Sequence, residues 1–372
     1  MSQRGTPRLT VLYMDIGRDW RGGQRQILWM GEGLLRHGGR PIFALRPGAP
    51  LGERARAAGI EVVEIDPAFA EFGPWTVLRL RRLVRRERVA ILHPQSGHTM
   101  ALAALAAAGT GAKIVFARRT SFAMRDDAGT RLKYGRADRI ISVSRAGLEA
   151  LVRAGLDPAR MEVIPSGIHP LRDTVPASAA TLASFGVPSG APLVVMVGAL
   201  TGVKDPLTFA RAVAAARRRV RALHALLVGE GPLRAAVEAE ARTLGIADAL
   251  HLTGFRADTE SLIAAADVAC LTSTSEGTPG VLIDALALAR PIVATAVGGV
   301  SEVVIDGESG LLAPAGDAGA LGEAIARVLG DPLLAARLSE GAHARAREFT
   351  IDRTVSRTIA VYERLLAGKD GP

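Results

Sequence analysis

Short apolar segments alternate with helix-forming segments along most of the chain. The first half contains seven segments with the length and composition of strands, at residues 9–15, 41–45, 61–65, 90–93, 114–117, 139–143 and 161–164. The second half contains six more, at residues 193–197, 223–228, 250–253, 268–271, 292–296 and 310–313. Strands that are apolar on both faces are typical of parallel sheets covered by helices. The alternation therefore predicts an α/β fold with parallel sheets and right-handed crossover connections.

The sequence also predicts a division into two domains. A chain of 372 residues is long enough for two or three domains with separate cores. After residue 164 the alternation is interrupted by a segment rich in proline, glycine and serine that continues to Pro188. We therefore expect two Rossmann-like domains that face each other across a cleft, followed by a C-terminal helical segment. The expected boundaries are 1–168, 169–350 and 351–372.

The chain carries a net charge of +9 at pH 7, and nearly all of its positive residues are arginines. No zinc-ligand spacing, aromatic platform or basic recognition helix accompanies them, so nucleic acid is not an expected partner. Six arginines cluster in one segment with a helical pattern, at positions 79, 81, 82, 85, 86 and 88. This cluster is consistent with a solvated helix face, or with attraction to anionic lipid headgroups or to an acidic acceptor.

The sequence predicts a cytoplasmic protein without a membrane span. No apolar run reaches the roughly 18 to 20 residues that a spanning helix needs, and the N-terminus lacks the apolar core of a signal peptide. The single cysteine, Cys270, excludes an internal disulfide framework. It lies in an apolar strand segment, where a buried and inert thiol is expected.

The turn that follows the strand segment 268–271 has the features of an anion-binding site. It runs from Glu276 to Gly280, and the segment 281–289 after it is rich in leucine and alanine, which favour helix. A helix that begins at the carboxyl edge of a sheet attracts anions, because its first N–H groups lack acceptors and its dipole is positive there. An acidic residue beside such a site indicates a ligand that carries hydroxyl groups as well as phosphate.

Further candidate binding residues fall at the carboxyl ends of predicted strands. They are Gly22, Gly23, His98, Lys204, Glu230 and Asp284. In Rossmann-like domains this edge of the sheet is where ligands bind. The glycine pair does not belong to a G-x-G-x-x-G pattern, so a dinucleotide cofactor is not supported. It is expected instead to form a turn whose backbone approaches the ligand closely.

Together these motifs resemble the retaining glycosyltransferases of the GT-B fold, specifically family 4 (group 1), over nearly the whole chain. Glu276 and Asp284 match the spacing of the family's E-x7-E element, and Gly298-Gly299 matches its downstream glycine pair. Lys204 follows a segment that resembles the family's G-R-L element, and 229–232 resembles its G-x-G-P turn. The resemblance implies transfer of a sugar from a nucleotide diphosphate to a hydroxyl group. It also implies a last helix that crosses back to the first domain.

The resemblance implies roles for residues of the second domain. Glu276 would hold hydroxyl groups of the donor sugar and Asp284 those of the ribose, since a carboxylate accepts several hydrogen bonds. Lys204 would neutralise the donor diphosphate. The backbone that would bind the distal phosphate belongs to Gly277, Thr278, Pro279 and Gly280. Glu230, in the G-x-G-P turn, joins the donor-binding residues.

In the first domain, His98 resembles the active-site histidine of the family, and Gly22 and Gly23 would bring the first loop close to the phosphates. Two positions depart from the family pattern. Asp284 stands where glutamate is common, and Ala199 stands where the family has an arginine beside the lysine. Another cation is expected to replace that arginine, and the candidates are Arg118, Arg119 and Lys133.

No cofactor and no metal ion are expected besides the nucleotide-sugar donor, since no D-x-D element follows a strand. The resemblance implies retention of the anomeric configuration, with the leaving phosphate deprotonating the acceptor. We expect a glycan or lipid-linked acceptor, used in cell-surface polysaccharide or lipopolysaccharide synthesis at the inner membrane face. Two alternatives remain open. A GT-B nucleotide-sugar epimerase would turn over donor alone, and a non-catalytic sugar-nucleotide-binding protein would bind donor without transferring it.

Overall fold

The computed structural model describes residues 9–65, 73–121, 124, 126–171 and 173–368. These residues form two compact units. The first contains the residues up to Gly167 and those from Ile351 onward, and the second runs from Ile168 to Thr350. Each unit is built around a parallel sheet with its own core.

The described residues contain thirteen strands and fifteen α-helices. The strands are β1 (Thr10–Asp15), β2 (Arg40–Leu45), β3 (Glu61–Glu64), β4 (Ile91–Pro94), β5 (Lys113–Arg118), β6 (Arg139–Ser142), β7 (Met161–Val163), β8 (Leu193–Val197), β9 (His224–Val228), β10 (Leu250–Gly254), β11 (Val268–Leu271), β12 (Ile292–Thr295) and β13 (Leu311–Ala313). The helices are α1 (Gly22–Arg36), α2 (Pro50–Ala57), α3 (Pro74–Arg86), α4 (Gly97–Ala107), α5 (Ala128–Tyr134), α6 (Arg145–Arg153), α7 (Ala179–Ser184), α8 (Pro206–Arg217), α9 (Arg234–Thr243), α10 (Thr259–Ala265), α11 (Gly280–Ala287), α12 (Val300–Val303), α13 (Ala318–Gly330), α14 (Pro332–Ala346) and α15 (Ile351–Leu366). Each strand lies where the sequence predicted one, and its ends differ from the prediction by at most one residue.

The strands described in the first unit pair in parallel, in the order β3-β2-β1-β4-β5-β6-β7. Alternate residues of β1 belong to two separate apolar clusters, with Val11 and Tyr13 in one and Leu12 and Met14 in the other. Helices α1, α2 and α15 contribute to the first cluster, and α3, α4 and α6 to the second. Helices therefore cover both faces of this sheet around β1, which is why β1 is buried along its whole length.

The last helix, α15, packs against α1 within the first unit. Its Val355 and Tyr362 have no exposed surface. A Cβ atom placed on Gly33 of α1 would lie 2.4 Å from a methyl group of Val355, so glycine allows the two helices to approach closely. Leu365, three residues after Tyr362, is also buried on this face, whereas Leu366 is 44% exposed.

Three polar side chains are buried together in the first unit: Tyr13, His93 and Tyr362. The Nδ1 atom of His93 contacts the hydroxyl of Tyr362, and that hydroxyl donates to the Tyr13 hydroxyl at 3.5 Å. The His93 ring stacks on the Tyr13 ring with 5.2 Å between centroids. Burial lowers the pKa of His93 to about 3 and raises the pKa of Tyr13 to about 12. Both side chains are therefore neutral at physiological pH.

Acidification should destabilise the first unit through His93. Its pKa in the folded state lies below the value of about 6.5 expected in the unfolded chain, so the unfolded state binds more protons as the pH falls below 6.5. The free energy of unfolding should then fall by about 2 kcal/mol between pH 7 and pH 5 from this residue alone. Urea denaturation of the natural chain and of His93→Gln at both pH values tests this. An equal loss of stability in both proteins would contradict the prediction.

The strands described in the second unit also pair in parallel, in the order β10-β9-β8-β11-β12-β13. The main apolar cluster joins Val194 and Met196 of β8 to residues of α8, α9, α13 and α14. Cys270 on β11 belongs to this cluster and is 2% exposed. Burial raises the pKa of its thiol to about 12, which confirms the expectation of a buried thiol that does not ionise.

The turn predicted at Gly22 and Gly23 is wrong, because helix α1 begins at Gly22. The glycines occupy the first turn of the helix, where the low helix propensity of glycine costs least because packing of the later turns holds the helix. Helix α5 ends at Tyr134, and it begins after Asp127, whose carboxylate accepts from the backbone N–H of Thr130 at 2.7 Å.

Candidate functional site

The predicted donor-binding residues of the second unit lie around the point where the strand order of its sheet changes direction. β8 lies between β9 and β11, so the connections that leave β8 and β11 run to opposite sides of the sheet. Lys204 lies in the segment after β8, and Glu276 lies in the segment after β11. Such a switch point leaves a crevice at the carboxyl edge of the sheet, which is where open α/β sheets bind ligands.

Lys204 and Glu276 meet directly at this edge. The Nζ atom of Lys204 donates to Oε1 of Glu276 at 2.5 Å, and the hydroxyl of Ser273 donates to the same oxygen at 2.6 Å. The Lys204 side chain is only 24% exposed and the Glu276 side chain only 11%. An ammonium group donates to phosphate oxygens and a carboxylate accepts from hydroxyl groups. The pair is therefore suited to a ligand that carries both kinds of group.

Hydrogen bonds between neighbouring strand ends hold the loop that carries Glu276. The backbone N–H of Gly299 donates to the Glu276 carbonyl at 3.1 Å, and the N–H of Thr274 donates to the Val203 carbonyl at 2.8 Å. The Thr295 hydroxyl donates to the Ser273 carbonyl at 2.6 Å. The loops after β8, β11 and β12 thus form one hydrogen-bonded edge. These contacts connect the predicted glycine pair to the acidic loop.

The backbone beside Lys204 adopts an unusual conformation that was not predicted from the sequence. Asp205 has φ 46° and ψ 61°, in the left-handed region. Its carboxylate caps α8 by accepting from the Thr208 N–H at 3.2 Å and from the Thr208 hydroxyl at 2.6 Å. The hydroxyl of Thr272 lies 3.1 Å and 2.8 Å from the carbonyl oxygens of Lys204 and Asp205. These contacts fix the direction in which the lysine leaves the sheet.

Asp205 and Thr272 were not predicted as residues that support the site, but the sequence around Asp205 contains a recognisable helix-start pattern. An aspartate followed by proline is the pattern expected where a helix begins, with the aspartate as N-cap and the proline at the first helical position. Asp205 and Pro206 occur in that order. Thr272 carries no comparable local signal, because its two acceptors lie 68 and 67 positions away in the sequence.

Replacing Asp205 with alanine should lower the free energy of unfolding by about 2 kcal/mol, because the variant loses a helix cap and places an alanine in the left-handed region. Asp205→Asn is the matched control, since asparagine tolerates that region and its side-chain oxygen can still cap the helix. Urea denaturation of both variants provides the measurement. If the alanine variant were as stable as the asparagine variant, the assigned role of the cap and of the backbone conformation would be wrong.

The predicted phosphate-binding segment leads into α11. That helix begins at Gly280, with Pro279 at the N-cap position, and no acidic residue lies in its first turn. The positive end of its dipole is therefore not neutralised by a side chain of the helix itself. Asp284 lies on the same helix and is 4% exposed. The proposed contacts of Gly277, Thr278, Pro279, Gly280 and Asp284 with a donor stay predictions.

Glu230 lies at the carboxyl end of β9, in a turn that packs against the loop after β8. A Cβ atom on Gly229 would lie 2.0 Å from the carbonyl oxygen of Gly198, and Gly229 has φ 141°. Only glycine allows the two loops to meet in this way. The Glu230 carbonyl accepts from the Leu200 N–H at 2.9 Å, and its side chain is 56% exposed near Arg234. The turn therefore presents Glu230 at the edge of the sheet.

The first unit has a corresponding switch point between β1 and β4. Gly22 and Gly23 open α1 after β1, and a Cβ atom on either would meet no described atom within 4 Å. His98 is the second residue of α4, after β4, and its side chain is exposed. The cap of α4 is formed by Ser96 and Thr99, so His98 is neither the cap nor a core residue. Its catalytic role stays a prediction.

Asp15 and Gln95 also lie at this edge of the first unit, and neither was predicted as a site residue. The Asp15 carboxylate accepts from the Gly17 N–H at 3.1 Å and from the Gln24 side chain at 3.2 Å. Gln95 accepts from Nε of Arg119 at 2.8 Å. Burial lowers the pKa of Arg119 to about 10, and nearby Asp15 opposes this change, so the guanidinium is charged at neutral pH. The signal available in the sequence was their position directly after strands or at strand ends.

Within the described part of the chain, no group of three or more histidine, cysteine, aspartate or glutamate side chains is placed to hold a metal ion. The charged groups at the edge of the second sheet are instead an ammonium and a carboxylate in direct contact.

Comparison with known protein families gives two matches on separate parts of the chain. Residues 20–172 match the model of Glycosyltransferase Family 4, and residues 191–331 match the model of Glycosyl transferases group 1. Together they span well over half of the chain.

A D-inositol 3-phosphate glycosyltransferase from Salinispora arenicola is 32% identical over 251 residues, which cover 62% of this chain and 56% of the relative. A 2-deoxystreptamine glucosyltransferase from Streptomyces kanamyceticus is 32% identical over 240 residues, which cover 63% and 57%. The chain thus spans little more than half the length of these curated relatives.

Solved structures match the chain almost from end to end. A glycosyltransferase from Rickettsia africae has a TM-score of 0.84 at 19% identity and covers 97% of this chain and 99% of its own. HepE from Anabaena, in complex with UDP and glucose, has a TM-score of 0.83 at 20% identity and covers 95% and 99%. At these identities the likeness shows the fold, which is GT-B with two Rossmann-like parallel-sheet domains. The sequence motifs, both family models and the fold agree, and the chain belongs to the glycosyltransferases of family 4 (group 1).

Proposed function

We propose that this chain transfers a sugar from a nucleotide-diphosphate sugar to a hydroxyl group of an acceptor, with retention of the anomeric configuration. The observation that carries the proposal is the contact between Lys204 and Glu276 at the switch point of the second sheet. A phosphate-binding cation and a hydroxyl-binding carboxylate are adjacent there, next to the start of α11. A sugar nucleotide is a ligand that presents diphosphate and sugar hydroxyl groups within a few ångströms of each other.

The donor would lie along the carboxyl edge of the second sheet. Lys204 and the N-terminus of α11 bind the diphosphate, Glu276 binds hydroxyl groups of the sugar, and Asp284 binds the ribose. Glu230 contributes to the donor site from the neighbouring turn. The complex of HepE with UDP and glucose favours uridine nucleotides as the first donors to test.

In the proposed reaction, the bond between the anomeric carbon and the diphosphate oxygen breaks as the acceptor oxygen bonds to the same face of that carbon. The acceptor proton passes to the departing phosphate. Negative charge grows on the diphosphate as it leaves, so Lys204 stabilises the transition state more than the ground state. At about 4 Å, one such charge contributes on the order of 4 kcal/mol at an effective dielectric constant near 20. His98 and the loop at Gly22 and Gly23 are the proposed contributions of the first unit.

A donor screen followed by a transfer assay tests the proposal. Thermal unfolding is measured with UDP-, GDP-, ADP- and dTDP-sugars, because a bound donor raises the apparent stability. The donor that binds is then offered with inositol 3-phosphate, 2-deoxystreptamine or lipid-linked glycans, and NMR determines the anomeric configuration of the product. An inverted product would refute retention, and a donor converted without any acceptor would indicate an epimerase. Binding without transfer to any acceptor would indicate a sugar-nucleotide-binding protein, and no stabilisation by any donor would refute the donor site.

We further propose that the first unit contacts anionic membranes through one face of α3. No helix in the described part of the chain is long and apolar enough to cross a membrane. Trp75, Arg79, Arg82 and Arg86 are exposed, and Trp75 is 80% exposed. Their spacing of four, three and four residues places them on one side of the helix. A tryptophan beside several arginines is typical of a helix that lies in the headgroup region of a membrane.

Vesicle sedimentation tests this surface. The chain should bind vesicles that contain anionic lipid and should not bind vesicles of phosphatidylcholine alone. Replacing Arg79, Arg82 and Arg86 with glutamine should abolish the binding. The control changes three exposed arginines elsewhere to glutamine, which gives the same net charge, at positions 153, 211 and 219. Equal loss of binding in the control would show that net charge, rather than α3, is responsible.

A further inference from the structure

A cavity of about 370 Å³ opens in the first unit beside the end of β5. Its lining includes Arg118, Met124, Asp127, Thr130, Lys133 and Tyr134. Arg118 is the last residue of β5, and three of the others belong to α5. A volume of this size accommodates a small ligand, because small-molecule pockets begin at about 300 Å³. No acceptor-binding role was predicted for these residues from the sequence.

The lining of the cavity carries an excess of positive charge. Arg118 and Lys133 contribute two cations to the lining, and Asp127 contributes a carboxylate. That carboxylate accepts from the Thr130 N–H at 2.7 Å as the cap of α5. Among the described residues, no carboxylate lies within ion-pair distance of Lys133, whose Nζ atom lies 5.9 Å from the centre of the Tyr134 ring. A half-buried lysine without a carboxylate partner attracts an anion.

The N-terminus of α4 adds hydrogen-bond donors to the same place. A Cβ atom on Gly97, the first residue of α4, would lie 2.6 Å from the Tyr134 hydroxyl and 3.6 Å from Nζ of Lys133. Both groups therefore lie against the first turn of α4. The first N–H groups of a helix have no acceptor inside the helix, and the Ser96 hydroxyl accepts from that of Thr99 at 3.3 Å. Burial raises the pKa of Tyr134, so its hydroxyl keeps its proton and can donate.

An ammonium group, a guanidinium group, a phenol hydroxyl and a helix N-terminus are all donors to anions. Phosphate oxygens are acceptors that match this set, because guanidinium and ammonium groups and helix N-termini each bind phosphate. We propose that this cavity binds the phosphate group of a phosphorylated acceptor, with Lys133 and Arg118 as its cations. This proposal rests on the proposed sugar transfer and adds the chemical class of the acceptor.

Two sources of phosphate fit this chemistry, a soluble polyol or sugar phosphate and the headgroup of a phospholipid. The cations of the cavity were also candidates to replace the arginine missing at position 199, in which case they would bind the donor diphosphate. Competition separates these ligands. An acceptor phosphate binds together with UDP, whereas a donor-site cation binds phosphate in competition with UDP.

The first experiment is calorimetric titration of the full chain with inorganic phosphate and with inositol 3-phosphate. Lys133→Met keeps the apolar stem of the side chain and removes the charge, and it should weaken phosphate binding about tenfold or more. Gly97→Ala should weaken it as well, because the added methyl group would collide with the Tyr134 hydroxyl. Lys113→Met is the matched control, since Lys113 opens the same strand at its opposite end and pairs with Asp138 at 3.3 Å. The control should bind phosphate as the natural chain does.

The second experiment repeats the titration in the presence of saturating UDP. Unchanged phosphate affinity supports the proposal, and displacement of phosphate by UDP overturns it. Competition of inositol 3-phosphate with phosphatidylinositol vesicles would identify a lipid headgroup as the natural source, and lack of competition a soluble phosphate. Absence of phosphate binding up to about 50 mM, or equal binding by Lys133→Met and Lys113→Met, also overturns the proposal. UDP binding by each variant is measured independently, so failure of the donor site is distinguished from failure of this cavity.

Discussion

The Lys204→Ala variant is expected to remain folded and to lose at least about two orders of magnitude in kcat. Lys204 is the cation that meets the proposed donor diphosphate, and its contribution grows as negative charge develops on the leaving group. Its side chain is only 24% exposed, so the Nζ atom lies in a partly buried site, 2.5 Å from Oε1 of Glu276. Electrostatic interactions in such a site are stronger than at an exposed surface. Steady-state transfer rates with saturating donor measure the effect.

Two controls define what the loss of Lys204 means. Lys204→Arg keeps a positive charge but changes its shape and reach, so it should recover only part of the activity. Lys113→Ala removes a lysine of the first unit that pairs with Asp138 and should leave kcat unchanged. The affinity for UDP should fall in Lys204→Ala, since UDP contains the diphosphate. A variant that folds and transfers sugar at the natural rate would refute the assignment of Lys204.

Replacing Glu276 with alanine should also lower kcat by about two orders of magnitude, but for a different reason. Its carboxylate is proposed to hold hydroxyl groups of the donor sugar, and hydrogen bonds to a charged group contribute about 1.5 to 3 kcal/mol each. Glu276→Gln keeps the size of the side chain and an oxygen that can accept from Ser273, so its loss should be smaller. Transfer kinetics of both variants, compared with the natural chain, provide the test.

Ligand affinity distinguishes the two roles. UDP has a diphosphate but no donor sugar, so Glu276→Ala should bind UDP as the natural chain does and bind the complete donor more weakly. Lys204→Ala should bind both ligands more weakly. If Glu276→Ala lost UDP affinity while Lys204→Ala kept it, the two assignments would have to be exchanged.

The ion pair itself adds a contribution to stability that can be separated from catalysis. Removal of either partner alone leaves the other charge in a site where at most a quarter of the side chain is exposed, and this costs folding free energy. The double variant Lys204→Ala/Glu276→Gln should be less destabilised than the sum of the single changes. Its transfer activity should remain as low as that of Lys204→Ala. Recovery of activity together with stability would show that the single variants were inactive only because they were destabilised.

Much of the fold could be predicted because the relevant signals are local. A short segment of four to seven residues can be recognised as a strand from its own composition, and each predicted strand is present in the described chain. Helix ends were less predictable, because a cap depends on single side chains such as Asp127. The start of α1 at Gly22 was missed because glycine has low intrinsic helix propensity, which tertiary packing overrides.

The family motifs identified the candidate site, but they did not reveal how its residues are held. The Thr272 hydroxyl reaches two carbonyl oxygens on a segment more than sixty positions earlier, and the left-handed backbone of Asp205 follows from that packing and from the cap of α8. The cavity at Lys133 was not visible in the sequence either. It depends on the approach of α5 to the first turn of α4, which Gly97 permits.

The sequence by itself determined the alternation of strands and helices, the division into two similar halves and the family to which the chain belongs. These properties depend on hydrophobic periodicity and on short motifs, which need no knowledge of distant contacts. Only the tertiary structure decided that Lys204 and Glu276, 72 positions apart, meet at 2.5 Å. The physical reason is that strand order places the ends of β8 and β11 side by side, and that order results from the packing of the whole sheet.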